Sequence, residues 1–149
     1  MGAATERQPE PKAVVISFLE LMGTGVLADM EKAGQLFADD VSFWIAGNTA
    51  ISGTVTGREA VMERRFRPSR KRTIAGTLSL EIGMVIAEGD YVAAEWTSRR
   101  KVVNSPDYEN RFFGLFRVHN GKIQLLREYL DTQAVVESRW RHSESPAIR

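Results

Sequence analysis

Apolar positions along this chain recur first at helical spacing and then at strand spacing. From Ala13 onward, Val14, Val15, Phe18, Leu19, Leu21 and Met22 fall on one side of a helix, and the "GTG" at 23–25 supplies a stop. Met30, Ala33, Leu36 and Phe37 mark a second helical face, after which "ADD" leads into a strand-like run, "VSFWIAG". "SGTVTGREAVMERRF" reads as a turn and then a short helix from Arg58, with Ala60, Val61 and Phe66 on its buried side. Pro68 is expected to end that helix. Later segments alternate: Thr73 to Ile86, Tyr91 to Val103, Tyr108 to Val118 and Lys122 to Leu130 read as strands joined at "EGD", "NSPD" and "HNG".

Helices first and a long meander afterwards give an α+β plan, in which N-terminal helices cover one face of a curved antiparallel or mixed sheet and enclose a cone-shaped hollow. Residues 1–12, with Pro9 and Pro11, read as a flexible arm, 13–141 as a single domain and 142–149 as a disordered tail. The segment from Gln133 to Arg141 is open between a terminal helix and an extended tail.

Strand parity then nominates chemistry. In the last strand Gln124, Leu126, Glu128 and Leu130 share a face, which brackets one carboxylate with leucines. Desolvation there would raise its pKa toward the range of a general acid or base. Asp131, on the other face with Arg127 and Tyr129, is expected to end the strand in an ion pair or a hydrogen bond. The same alternation groups Asn110, Phe112, Gly114 and Phe116, and also Val92, Ala94, Trp96 and Ser98. Trp96 and Phe112 would form an aromatic wall, Asn110 and Ser98 polar points, and Gly114 an opening. The bland reading of each is an ion-paired carboxylate, a core aromatic, or an asparagine satisfying backbone groups.

Composition narrows the picture. With 149 residues, 43% apolar and 26% charged, the chain can bury one core, and a net charge of +1 selects no polyanionic partner. The basic stretch from Arg64 to Arg72 reads as a solvated helix end or as the holder of an anionic substrate tail, and nucleic-acid binding is not expected. There is no cysteine. His119 and His142 are too far apart for a spaced metal motif, and no phosphate loop, nucleophile elbow or dinucleotide fingerprint is visible, so we expect no metal and no cofactor. The start lacks an apolar signal core and no apolar run is long enough to span a bilayer; a cytoplasmic protein without membrane contact is expected.

The stretch Tyr108-Glu109-Asn110-Arg111, then "FRVHNGKI" and "REYLDT", with "LFADDVSFWIAG" and "SGTVTGREAV" before them, resembles SnoaL-like proteins of the ketosteroid isomerase and nuclear transport factor 2 superfamily. The resemblance covers about Val14 to Val135 and implies a cone-shaped fold and a homodimer through the outer sheet face. It also shows departures. Where steroid isomerases carry a tyrosine and two acids, this chain has Phe18, Trp44 and a position near Gly114. Where limonene epoxide hydrolase carries its strand residues, it has Trp96, Ser98, Phe43 and Ile45, with Glu128 alone matching a late aspartate. The cyclase pattern, with one acid deep in the pocket, is the nearest match. The resulting expectation is a cofactor-independent cyclase, isomerase, lyase or hydrolase for a small apolar or aromatic molecule. Glu128 and Asn110 would be catalytic, and Phe18, Phe43, Trp44, Trp96, Ser98, Phe112, Leu126 and Leu130 would bind substrate. The alternative is a non-catalytic binding or dimeric assembly module, its pocket filled by side chains.

Overall fold

A computed structural model describes residues 6–143, with side chains described through Ser138. Helix α1 (Pro11–Gly23) and helix α2 (Leu27–Gly34) lead into strand β1 (Phe37–Ile45) and strand β2 (Gly53–Thr56). A basic helical stretch follows, made of α3 (Arg58–Val61), a π-turn over Met62–Phe66, and α4 (Arg67–Arg72). Strands β3 (Ser79–Glu88), β4 (Tyr91–Arg100), β5 (Tyr108–His119) and β6 (Lys122–Leu130) precede helix α5 (Thr132–Ser143).

The strands form one sheet in the order β2-β1-β6-β5-β4-β3, with β1 parallel to β6 and every other pair antiparallel. Asn120 and Gly121 both have positive φ, 50° and 71°, so "HNG" closes the β5–β6 hairpin with the backbone twist that two-residue loops prefer. The α+β plan therefore holds. Val15, Phe18 and Leu19 of α1 are buried against the sheet. Phe18, Phe37, Phe43, Phe66 and Phe116 form a continuous aromatic cluster, with centroids 5.1 to 6.3 Å apart along Phe18–Phe37, Phe37–Phe66, Phe43–Phe66 and Phe18–Phe116 as well as Phe18–Phe66.

Several boundaries differ from the sequence expectation, each for a local reason. Phe37 opens β1 instead of closing α2, because α2 ends at Gly34 and the two residues after it turn the chain. Thr73 does not begin β3; it makes an isolated bridge to Val102, and the chain turns through Gly76 before pairing starts at Ser79. Pro68 does not end the basic helix. It sits in the first turn of α4, directly after the wide π-turn, where a proline needs no N–H donor and its ring escapes the carbonyl one turn back. Arg67 then bonds Glu31 of α2 (Nε–Oε1, 3.0 Å) and Glu59 of α3 (Nη1–Oε1, 2.5 Å), which holds the bent stretch onto its neighbours. Residues 11–12 of the expected arm belong to α1 and residues 142–143 of the expected tail to α5; residues 1–5 and 144–149 lie outside the described residues.

Candidate functional site

Register fixes the order of side chains on the inward face of the sheet. Ile45, Glu128, Gly114 and Ala94 lie side by side across β1, β6, β5 and β4. One step along come Leu130, Phe112 and Trp96, then Asn110 and Ser98, then Tyr108 and Arg100. Above these rungs, Phe18, Leu19 and Met22 of α1, the basic stretch, and Val135 and Ser138 of α5 enclose a cavity of about 190 Å³.

Glu128 lines that cavity and is 9% exposed. Among the described residues its carboxylate makes no hydrogen bond or ion pair. Burial pushes its pKa up to about 8, and the positive charge of Arg65 offsets only part of that effect. Gly114 lies beside it because nothing larger fits: a Cβ there would come within 2.7 Å of the Trp96 ring. The Trp96 indole can therefore lie flat against Phe112, with ring centroids 5.3 Å apart and planes within 4°. Together they make the apolar plate next to the acid.

The placement of the other expected residues is mixed. Phe18, Phe43, Trp96, Ser98, Phe112 and Leu130 all line the cavity. Leu126 is fully buried in the core and lines no part of the cavity wall. Trp44 lies on the opposite face, packed edge-on against Tyr129 at 5.3 Å; adjacent residues of a strand point to opposite sides, so it cannot join Phe43 in the pocket. Asn110 is committed elsewhere. Its Nδ2 donates to the Tyr108 hydroxyl (2.8 Å) and the Asp131 carbonyl (3.0 Å), and its Oδ1 accepts from the Asp131 N–H (2.9 Å). An amide so occupied at 2% exposure has nothing left for a substrate oxyanion. Asp131 in turn caps α5, its Oδ1 accepting from the N–H groups of Gln133 and Ala134.

Tyr108, which the sequence reading passed over, lines the cavity. Burial raises its pKa, so the phenol keeps its proton; the charge of Glu128 acts in the same direction. Because Asn110 donates to the phenol oxygen, the phenol's own hydrogen is left to donate elsewhere. The Arg100 guanidinium covers the ring, 4.7 Å from its centroid. Strand parity was the available signal, since 108, 110 and 112 share a face.

The basic stretch divides. Arg64 and Lys71 face solvent and Arg67 serves the ion pairs above, whereas Arg65, Arg70 and Arg72 line the cavity. His119 sits 3.4 Å from Asp90 in an exposed contact, and the His142 side chain lies outside the described ones. No group of three or more potential metal ligands occurs among the described residues. No helix there is long and apolar enough to cross a membrane.

Comparison with known proteins gives this geometry a family. No curated protein matches the chain. Among solved structures, a proposed isomerase from Bacillus subtilis superposes with a TM-score of 0.74 at 18% identity, covering 89% of this chain and 97% of that one. An NTF2-like protein from Burkholderia thailandensis gives 0.72 at 18% identity, over 89% and 98%. A protein of ketosteroid isomerase-like fold from Catenulispora acidiphila, solved in complex with trimethylamine, gives 0.66 at 20% identity, over 89% and 95%. At such identities the likeness is one of fold. The SnoaL-like domain family itself matches residues 15–126, most of the chain, and this protein therefore belongs to the SnoaL-like family.

Proposed function

We propose that this protein is an acid–base enzyme that needs no cofactor and moves a proton on a small, mainly apolar or aromatic molecule, with Glu128 as the base. One observation carries the reading: a carboxyl with no hydrogen-bond partner among the described residues opens onto an apolar cavity and is raised to about 8. Structural carboxylates are paired, and an unpaired one is costly to bury, so its retention suits a group that must exchange protons near neutral pH. Cyclisation, isomerisation, elimination and hydration each need that step. The Trp96–Phe112 plate orients a flat ligand beside Glu128. Tyr108 takes the part first given to Asn110: a neutral donor to the oxygen on which charge develops. Asn110 positions it.

Proton abstraction can be followed before the natural substrate is known. Aromatic ketones and β-keto esters incubated with the protein in heavy water should acquire deuterium at the acidified carbon, read by NMR. The Glu128→Gln protein should lose that exchange by about a hundredfold or more. Full exchange by a folded variant would remove Glu128 from the mechanism.

We further infer that two copies pair through the outer face of the sheet. Trp44, Tyr129 and Phe113 form an aromatic row there, with Tyr129 and Phe113 both partly exposed, and Tyr91 and Ile86 extend the apolar surface toward β3. Unpartnered aromatics of this kind on a sheet mark an association surface.

A further inference from the structure

The hydroxyl side chains on the cavity wall are those of Ser69, Thr73, Ser98, Tyr108 and Ser138. Four of them bond within the fold. Ser69 accepts from Arg100 Nη1, Thr73 donates to the Ser69 carbonyl (3.0 Å), Tyr108 accepts from Asn110 Nδ2 (2.8 Å) and Ser138 donates to the Val135 carbonyl (2.9 Å). Ser98 differs: among the described residues its hydroxyl makes no hydrogen bond, and its Oγ opens onto the hollow instead of being sealed in the wall. Its place in the sheet explains this. Ser98 sits within β4, paired with Asn110 of β5 on one side and Leu80 of β3 on the other, so the backbone around it is committed to the ladders. The Leu80 side chain has no polar atom, and the Asn110 amide is taken up by Tyr108 and Asp131. A hydroxyl reduced to 9% exposure without a partner costs free energy, which an oxygen on a ligand would recover.

We propose that Ser98 determines the specificity of this cavity, and that its ligand is a flat ring carrying a hydroxyl or carbonyl oxygen at the end remote from Glu128. This rests on the reading of the hollow as a pocket for a flat, mainly apolar molecule, and it names the polar group such a molecule bears. Glu128 stands one rung to one side of the Trp96–Phe112 plate and Ser98 one rung to the other. The two levels are four residues of strand apart, about 13 Å at the usual rise, and the glutamate side chain spans part of that length. A ring stacked on the plate therefore meets the carboxyl at one edge and the hydroxyl at the other. Serine both donates and accepts, so a phenol, an alcohol or a carbonyl can each complete it. The Arg100 and Arg72 side chains at that end already bond within the fold, to Ser69 and to the Ser138 carbonyl, which leaves a neutral oxygen as the fitting partner. A hollow of about 150 Å³ admits benzene, so one of about 190 Å³ suits a single substituted ring. A pocket with a buried hydrogen-bonding group discriminates against the analogue that leaves it unpaired.

The test compares p-cresol with p-xylene, the same frame with a hydroxyl exchanged for a methyl, by NMR titration of the labelled full chain at pH 7. The quantity read is the ratio of the two Kd values, in wild type and in Ser98→Ala and Ser98→Thr. Ser98→Ala should shift that ratio about fivefold or more against p-cresol, and Ser98→Thr, which keeps a hydroxyl, should shift it less. Melting separates a binding role from a structural one: Ser98→Ala loses no internal bond and should melt no lower than wild type. An unchanged ratio in folded Ser98→Ala, a clear drop in its melting temperature, or no binding of either compound at millimolar concentration would overturn the proposal. Failure of the base assignment reads differently: deuterium exchange would survive in Glu128→Gln while the effect of Ser98→Ala on the ratio stayed intact.

Discussion

At the scale of single residues, Glu128 carries opposed demands. Its ordinary pKa of 4.5 rises to about 8 in the fold. Between those values the folded chain holds a proton that the unfolded chain has released, so stability falls as pH rises through that window, by on the order of 3 kcal/mol at pH 7. Below about pH 4.5 both states are protonated and the penalty vanishes. Glu128→Gln should therefore unfold at higher denaturant concentration at pH 7, a gain of about 1–3 kcal/mol, with little gain at pH 4; urea titrations at the two pH values check this. Activity moves the opposite way. A base must be ionised to accept a proton, so kcat/KM for a reaction begun by Glu128 should climb through about pH 8, seen in a profile of rate against pH. Period-two counting made this residue legible, because β6 keeps one phase from Leu125 to Leu130; the register shift between Ile123 and Leu125 lies before it and leaves Ile123 buried against the parity expected of it. Trp44 shows the cost of ignoring the same rule, since its neighbour Phe43 already holds the inward position. Asn110 has the right phase but its partners come from Tyr108 and Asp131, and hydrogen-bond commitments across strands leave no periodic trace.

At the scale of elements, the junction of β5, β6 and α5 hangs on a few polar contacts. Asn110 bonds both the N–H and the carbonyl of Asp131, and Asp131 caps α5, whose Val135 and Ser138 close the cavity. Asn110→Leu would strand both groups and remove the donor to Tyr108. We expect a loss of about 2–4 kcal/mol in urea unfolding, together with weaker ligand binding. On β5, Gly114→Ala would drive a methyl into the Trp96 ring and cost about 1–3 kcal/mol, and tryptophan fluorescence should report the displaced indole. Strands β4, β5 and β6 were read to within three residues from alternation and turn residues, whereas β3 begins six residues later than expected and β2, only four residues long and glycine-led, was read as a turn. The basic helix was not followed to its end: Pro68 reads as a stop, and the π-turn that accommodates it has no pattern in the sequence. That one misreading hid the helical phase that brings Arg65, Arg70 and Arg72 to the hollow.

At the scale of the whole molecule, the two faces of the sheet are assigned separate tasks: the inner encloses the cavity, and the outer carries the aromatic row proposed for pairing. If copies pair there, Phe113→Lys and Tyr129→Lys should shift the protein from dimer to monomer in light scattering while leaving its circular dichroism unchanged, because both side chains are already half in solvent. The fold class was open to reading because the order of helices and strands is itself a sequence property. The placement of β1 beside β6 was not, since parallel partners distant along the chain share no turn.

That insertion also governs how the protein is assembled at the ribosome. Phe43 must wait for Leu126 before its edge of the sheet is paired on both sides, so β1 spends most of translation with only β2 as neighbour. Contacts so remote in sequence slow folding, and an emerging chain with an open, apolar edge is a natural client for holding chaperones. The segment bearing Glu128 is thus also the keystone: until β6 slides between β1 and β5, there is neither a finished sheet nor a hollow for a ligand to enter.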